Sequence, residues 1–196
     1  INRFASDPSA ELAQLQVIQI DLDSKNFEEA AKNADVFVKA HASSPMLDIG
    51  YYKLGVAATG LKHFGHAAFA FKKVIDNFPT SRLYAESLYG LAVSLESDKK
   101  VAEAVPYYEK LVSDNPQHTL AMEAWPRLSY LYIQLGDIDK LRVHTKNLLL
   151  RYTHVPMDTD GVFWLIQALL DRGEYDELDQ ILDVLATRFP DQDLKH

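Results

Sequence analysis

The sequence predicts an all-α solenoid of five helix–turn–helix repeats, and three observations carry that prediction. Residues 51–79 read as one helix, a short turn and a second helix. At a step of 37 residues the pattern returns, with Leu54 followed by Leu91, Ala67 by Ala104 and Phe71 by Tyr108. The same frame divides nearly the whole chain into five units, at about 11–47, 48–84, 85–121, 122–158 and 159–195, which together form a single domain over 1–196.

Equivalent positions hold equivalent chemistry. One column reads Val17, Leu54, Leu91, Leu128, Leu165, and another Phe27, Phe64, Val101, Ile138, Tyr175. Two more run Ala30, Ala67, Ala104, Leu141, Leu178 and Phe37, Val74, Leu111, Leu148, Leu185. Inside the second unit, Phe64, Ala67, Ala68, Phe71, Val74, Ile75 and Phe78 recur at helical spacing, the stripe of an amphipathic helix.

The connections fit. Lys25-Asn26, Lys62-His63, Lys99-Lys100, Gly136-Asp137 and Gly173-Glu174 supply short polar turns within the units. Pro45, Pro79, Pro116, Pro156 and Pro190 stand at or just beyond the ends of the second helices, where a missing amide donor stops a helix. Pro126 is expected in the first turn of its helix, and Pro106 about one turn into a second helix, where it bends or delays that helix.

These residues resemble the tetratricopeptide repeat family, built from antiparallel helix pairs stacked in a right-handed superhelix. The second unit carries the likeness best, with Tyr51, Leu54-Gly55, Ala67, Phe71 and Pro79 in the family's order. Trp125, Leu128, Tyr132 and Gly136 continue it in the fourth unit, and Leu165, Gly173, Tyr175 and Pro190 in the fifth. The first unit departs most, with Gln14 at the aromatic position and Ala42 at the proline position. The phrases at 71–92 and 107–116 are similar to the bacterial envelope branch of the family, and to large secretion and polysaccharide-export scaffolds.

The resemblance implies a protein-binding surface on the first helix of each pair. One column there is Leu15, Tyr52, Tyr89, Pro126, Phe163, and the next Gln19, Val56, Val93, Tyr130, Gln167, flanked by Lys53 and Arg127 and by Glu86, Glu123 and Asp160. Aromatic and aliphatic side chains ringed by charge suit an extended peptide or an amphipathic helix. The alternative for Leu15, Tyr52, Val56, Tyr89, Val93 and Tyr130 is packing between neighbouring helices. The Lys and Asn set with which some relatives grip a C-terminal carboxylate is absent from Leu15, Gln19, Tyr52, Val56, Tyr89 and Val93.

Other functions find little support. There is no cysteine, hence no disulfide, thiolate metal site or cysteine nucleophile. A net charge of -8 opposes nonspecific nucleic-acid binding and acidic lipid surfaces. No phosphate loop, nucleophile elbow or His-Glu-x-x-His motif occurs, so neither catalysis nor a cofactor is expected. His63 with His66, and His154 with Asp158 and Asp160, lack the further ligands a metal needs and read as polar turns. At 47% hydrophobic and 24% charged residues, the composition is that of a folded soluble chain with no membrane-length apolar run.

Charge and ends add detail. Residues 48–84 carry five basic residues, Lys53, Lys62, Lys72, Lys73 and Arg82, against Asp48 and Asp76. The last unit is acidic, through residues that include Asp171, Glu174, Asp176, Glu177, Asp179 and Asp183. Ala186 and Asp179 interrupt columns that are otherwise mostly apolar, as a terminal helix would. Leu12, Leu15, Val17, Ile18, Ile20 and Leu22 make the first helix apolar nearly all round, so that end is expected to meet a partner, another copy or upstream sequence. A start at Ile1 reads as a processed or excised chain.

The sequence thus supports a non-enzymatic scaffold that holds a peptide or partner segment in its groove, with no nucleic acid and no membrane insertion. Its branch resemblance implies a periplasmic envelope assembly, with the cytoplasm as alternative. An oligomerisation module, or regulatory repeats of a larger secretion or export protein, are the competing readings.

Overall fold

A computed structural model describes residues 8–150 and 159–188. It has ten α-helices and, among the described residues, no strand. They fall into two compact units, divided after Asn115.

Unit 1 holds α1 (Pro8–Asp23), α2 (Phe27–Ala40), α3 (Leu47–Gly60), α4 (Phe64–Asn77), α5 (Tyr84–Ser97) and α6 (Val101–Asp114). Each helix packs on the next, and the first helices of successive pairs also touch directly, α1 on α3 and α3 on α5. Unit 2 holds α7 (Thr119–Leu135), α8 (Ile138–Leu150), α9 (Thr159–Arg172) and α10 (Tyr175–Arg188), with α7 against α9 and α8 against α10.

The 37-residue frame is visible in the backbone. Lys25, Lys62, Lys99, Gly136 and Gly173 all adopt positive φ, from 58° to 70°. Each closes a first helix with the same pair of bonds. The Lys62 amide donates to the Thr59 carbonyl at 2.9 Å and the His63 amide to the Ala58 carbonyl at 2.8 Å, and equivalent bonds recur in all five turns. This arrangement satisfies carbonyls that the helix end would orphan, but it needs a left-handed residue, for which glycine is the unstrained choice.

A second periodic device starts the first helices. Ser44 Oγ accepts from the Met46 amide, Ser81 Oγ from the Leu83 amide, both at 3.0 Å, and His118 Nδ1 from the Leu120 amide at 3.2 Å. In unit 1 the two serines also donate to a carboxylate one repeat back: Ser44 to Glu11 and Ser81 to Asp48, each at 2.5 Å. Glu11 and Asp48 are 37 residues apart, so this latch repeats with the frame.

Close approach of the helices rests on glycine facing aromatic rings. The Phe71 ring of α4 lies between Gly55 of α3 and Gly90 of α5, and a Cβ on either glycine would sit 2.7 Å from a ring carbon. Phe71 is 3% exposed, so the ring has no free space to retreat into.

Two expectations need correction. Pro126 lies well inside α7, because His118 caps that helix and starts it at Thr119. Pro126 therefore removes an amide that would have bonded the Met122 carbonyl, and α7 continues past it. In α1 the core is formed by Leu15 and Ile18, whereas Val17 is 50% exposed. Val17 stands at the column of Leu91, Leu128 and Leu165, which are all buried, but no helix pair precedes it among the described residues. Pro106 lies inside α6 as anticipated. Pro156 and Pro190 fall outside the described residues, as do His154 and Asp158.

Gly90→Ala should cost about 1–3 kcal/mol by overpacking against Phe71. Phe71→Leu in the same chain should make the pair less destabilised than the sum of the single changes, as read by urea unfolding. At the turns, Lys62→Gly should gain about 0.5 kcal/mol, the left-handed strain slightly exceeding the entropy cost of glycine. Gly136→Ala should lose stability in the same assay.

Candidate protein-binding face

The first-helix columns separate into core and surface once they are folded. Leu15 is 3% exposed and belongs to the core with Ile18, Ala30, Ala34, Phe37, Val38 and Ala57. It cannot contact a partner, and that candidate is corrected. The reason is register: the face of α1 that carries Leu15 is the one packed on α2 and α3.

Tyr52 and Tyr89 are half-buried and make the same contact one repeat apart. Tyr52 sets its ring edge-on to Phe71 with centroids 5.7 Å apart, and Tyr89 does so with Tyr108 at 5.8 Å. Ring bodies at these positions are therefore packing, while part of each side chain still faces solvent. Val56 and Val93 follow one turn later on α3 and α5, also half-buried. The packing reading holds for the rings of Tyr52 and Tyr89, and all four residues keep part of their surface in solvent.

Lys53 is buried, and its ammonium donates to the Gln19 side chain on α1. Desolvation lowers its pKa, partly opposed by the Asp23 carboxylate. Such a lysine presents an alkyl stem and a committed hydrogen bond rather than a free charge. The Tyr52 phenol is pushed above its ordinary value by burial and, secondly, by the Glu86 charge, so it remains a neutral donor well beyond physiological pH.

In unit 2 the face is more open. Tyr130 on α7 is 61% exposed and Phe163 on α9 is 62% exposed, with Arg127 half-buried on α7. Trp164 adds a third open aromatic at 47% exposure. It occupies the Lys53–Arg127 column, and a Trp beside Phe163 and Leu165 is indistinguishable by spacing from core, which is why the sequence alone does not single it out. The other tryptophan, Trp125, is buried, with its ring tilted against that of His144 at 4.8 Å between centroids.

Two acidic residues of the last repeat, Glu174 and Glu177, are paired with basic residues of α8. Glu174 pairs with Arg142, Glu177 with Lys146 at 2.7 Å, and Arg172 with Asp139 at 3.2 Å. These pairs tie α8 to α9 and α10 and reduce the acidity α10 presents. Among the described residues no group of three or more His, Asp or Glu is placed to hold a metal ion. No described helix is long and apolar enough to cross a membrane.

Residues 52–119 match a family model described as tetratricopeptide repeat. Residues 52–119 are therefore similar to tetratricopeptide repeats. Solved structures agree in fold. A putative kinesin light chain from Podosopora anserina, with nearly identical repeats of this type, aligns at 18% identity over 92% of this chain and 96% of its own, with a TM-score of 0.59. A tetratricopeptide repeat protein from Parabacteroides merdae aligns at 16% identity, TM-score 0.64, over 93% of this chain and 68% of its own. YrrB, described as a tetratricopeptide repeat protein with an unusual peptide-binding site, aligns at 16% identity, TM-score 0.59, over 91% of this chain and 86% of its own. Among curated protein sequences none matches the chain.

Absorbance titration should show a tyrosine component ionising above the ordinary value near 10, and Tyr52→Phe should reduce that component. Because the folded value is raised, the stability from the neutral phenol is complete below the unfolded value and is lost as pH rises through the folded one. Urea midpoints measured across that alkaline range should fall more steeply for the native chain than for Tyr52→Phe.

Proposed function

We propose that the protein is a non-enzymatic scaffold that holds a peptide or partner segment along its first-helix face, within a bacterial cell-envelope assembly. The observation that carries this reading is the open aromatic set of unit 2, Tyr130, Phe163 and Trp164, on helices that pack directly against each other. Large aromatic side chains exposed together give most binding energy per residue at protein interfaces. Unit 1, taken by itself, has Tyr52 and Tyr89 half-buried and backed by Phe71 and Tyr108, with Val56 and Val93 half-buried one turn later. Rigid backing lets these groups bind with little side-chain ordering cost.

A peptide partner also accords with YrrB, the neighbour described by its peptide-binding site. The envelope setting rests on the phrases at 71–92 and 107–116, similar to that branch of the family.

A second reading is self-association through the first pair. Leu12, Val17, Ile20 and Val36 are between 49% and 63% exposed at that end. A concentration-dependent mass in light scattering would favour this assembly, and a constant monomer mass would count against it.

Affinity capture from envelope and cytosolic fractions of the source cells, read by mass spectrometry, tests the scaffold reading. Tyr130→Ala with Phe163→Ala should remove the captured partner while helical circular dichroism is unchanged. Retention of that partner by the double variant would overturn the assignment of this face, and recovery only from cytosol would overturn the envelope setting.

A further inference from the structure

A pocket in unit 1 lies outside the first-helix columns. It is lined by Ala31 and Asp35 of α2, Leu54, Ala58 and Leu61 at and after α3, and His63, His66 and Phe69 at the start of α4. Its volume of about 290 Å³ is at the lower end for ligand sites, room for one or two side chains rather than a cofactor.

The floor is apolar and the rim is basic. Phe69 forms one wall and is 57% exposed, so its ring is open to an incoming side chain. Lys73 stands over that ring with its ammonium 5.2 Å from the centroid. His63 and His66 set their rings edge to face, 6.0 Å apart. Asp35, the acid in the lining, is already held by Lys39 at 2.5 Å. No acidic residue stands in the first turn of α4, whereas α2, α6, α8 and α10 each have at least one there.

Comparison along the frame shows that these features belong to this repeat alone. The Phe69 column reads Lys32, Phe69, Pro106, Val143, Gln180, with a single aromatic. The His66 column reads Glu29, His66, Glu103, Lys140, Glu177, so the histidine stands where three other repeats place an acid. Repeat stacking cannot require Phe69 or His66, because the other pairs stack without them. The surrounding repeat is net basic in a chain whose total charge is -8, which localises the attraction for an anionic partner here.

We propose that this pocket is a second docking site, for an acidic peptide segment that inserts one large apolar side chain. The anchor enters between Leu54, Ala58, Leu61 and Phe69. Flanking carboxylates accept hydrogen bonds from the His63 and His66 ring N–H groups and meet the Lys73 charge. The site shares no residue with Tyr52, Val56, Tyr89 and Val93, so it can be filled independently of the first-helix face.

A phage-displayed random peptide library, selected on the full chain, supplies the probe. Enriched peptides should carry acidic residues around one Phe, Leu, Ile, Trp or Tyr. Measured by fluorescence anisotropy, they should bind about tenfold or more weakly to Phe69→Lys, which copies the residue of the first repeat, and to His66→Glu, the residue of three others. Tyr130→Ala should leave their affinity unchanged, which separates this site from the first-helix face. Circular dichroism of both variants should match the native chain, since Phe69 and His66 are exposed. Recovery of no binding peptide, of peptides without acidic residues, or of peptides that bind Phe69→Lys and His66→Glu as tightly as the native chain would overturn the proposal.

Discussion

The Phe71 ring held between Gly55 and Gly90 is the constraint on which the packing of unit 1 turns. Either glycine enlarged by one carbon would place that carbon 2.7 Å from the ring, so α3, α4 and α5 can come this close only with hydrogen at both positions. Tyr52 then leans on the edge of the same ring. A residue proposed for binding is thereby positioned by a residue that serves only packing. The first-helix face is in this sense a by-product of core geometry, rigid because Phe71 has nowhere to move.

Much of the fold was legible because the frame repeats in chemistry that backbone geometry demands. The five turn positions announced themselves as Lys, Lys, Lys, Gly and Gly at one spacing, and all five adopt the left-handed conformation. What one column could not reveal was which side of the helix had a neighbour. Leu15 and Val17 are both apolar and two residues apart, yet one is core and the other half open, because only one faces a helix that exists among the described residues. Pro126 was misplaced for a similar reason. The start of α7 is fixed by His118, a capping residue that stands where the two preceding repeats have Ser44 and Ser81, and a histidine there carries no capping signal by composition.

The candidate sites divide along the same line. Tyr130 and Phe163 were readable as surface because their columns contain Gln19 and Pro126, residues a core would exclude. Trp164 and Phe69 were not, since an aromatic at helical spacing is the commonest mark of an interior position. Exposure, which depends on the neighbouring helix, is what separates a buried ring such as Phe71 from Phe69 two residues earlier.

The Glu11–Ser44 and Asp48–Ser81 latches have a mechanical consequence. Each spans 33 residues and fastens the start of one helix pair to the start of the next. A load pulling unit 1 apart from its ends would be borne by these two short side-chain bonds before it reached the interior. Once a latch parted, the hidden chain length behind it would be released in one step, so unit 1 should lengthen under tension by whole repeats, as a chain of links does, and not stretch evenly as a spring would.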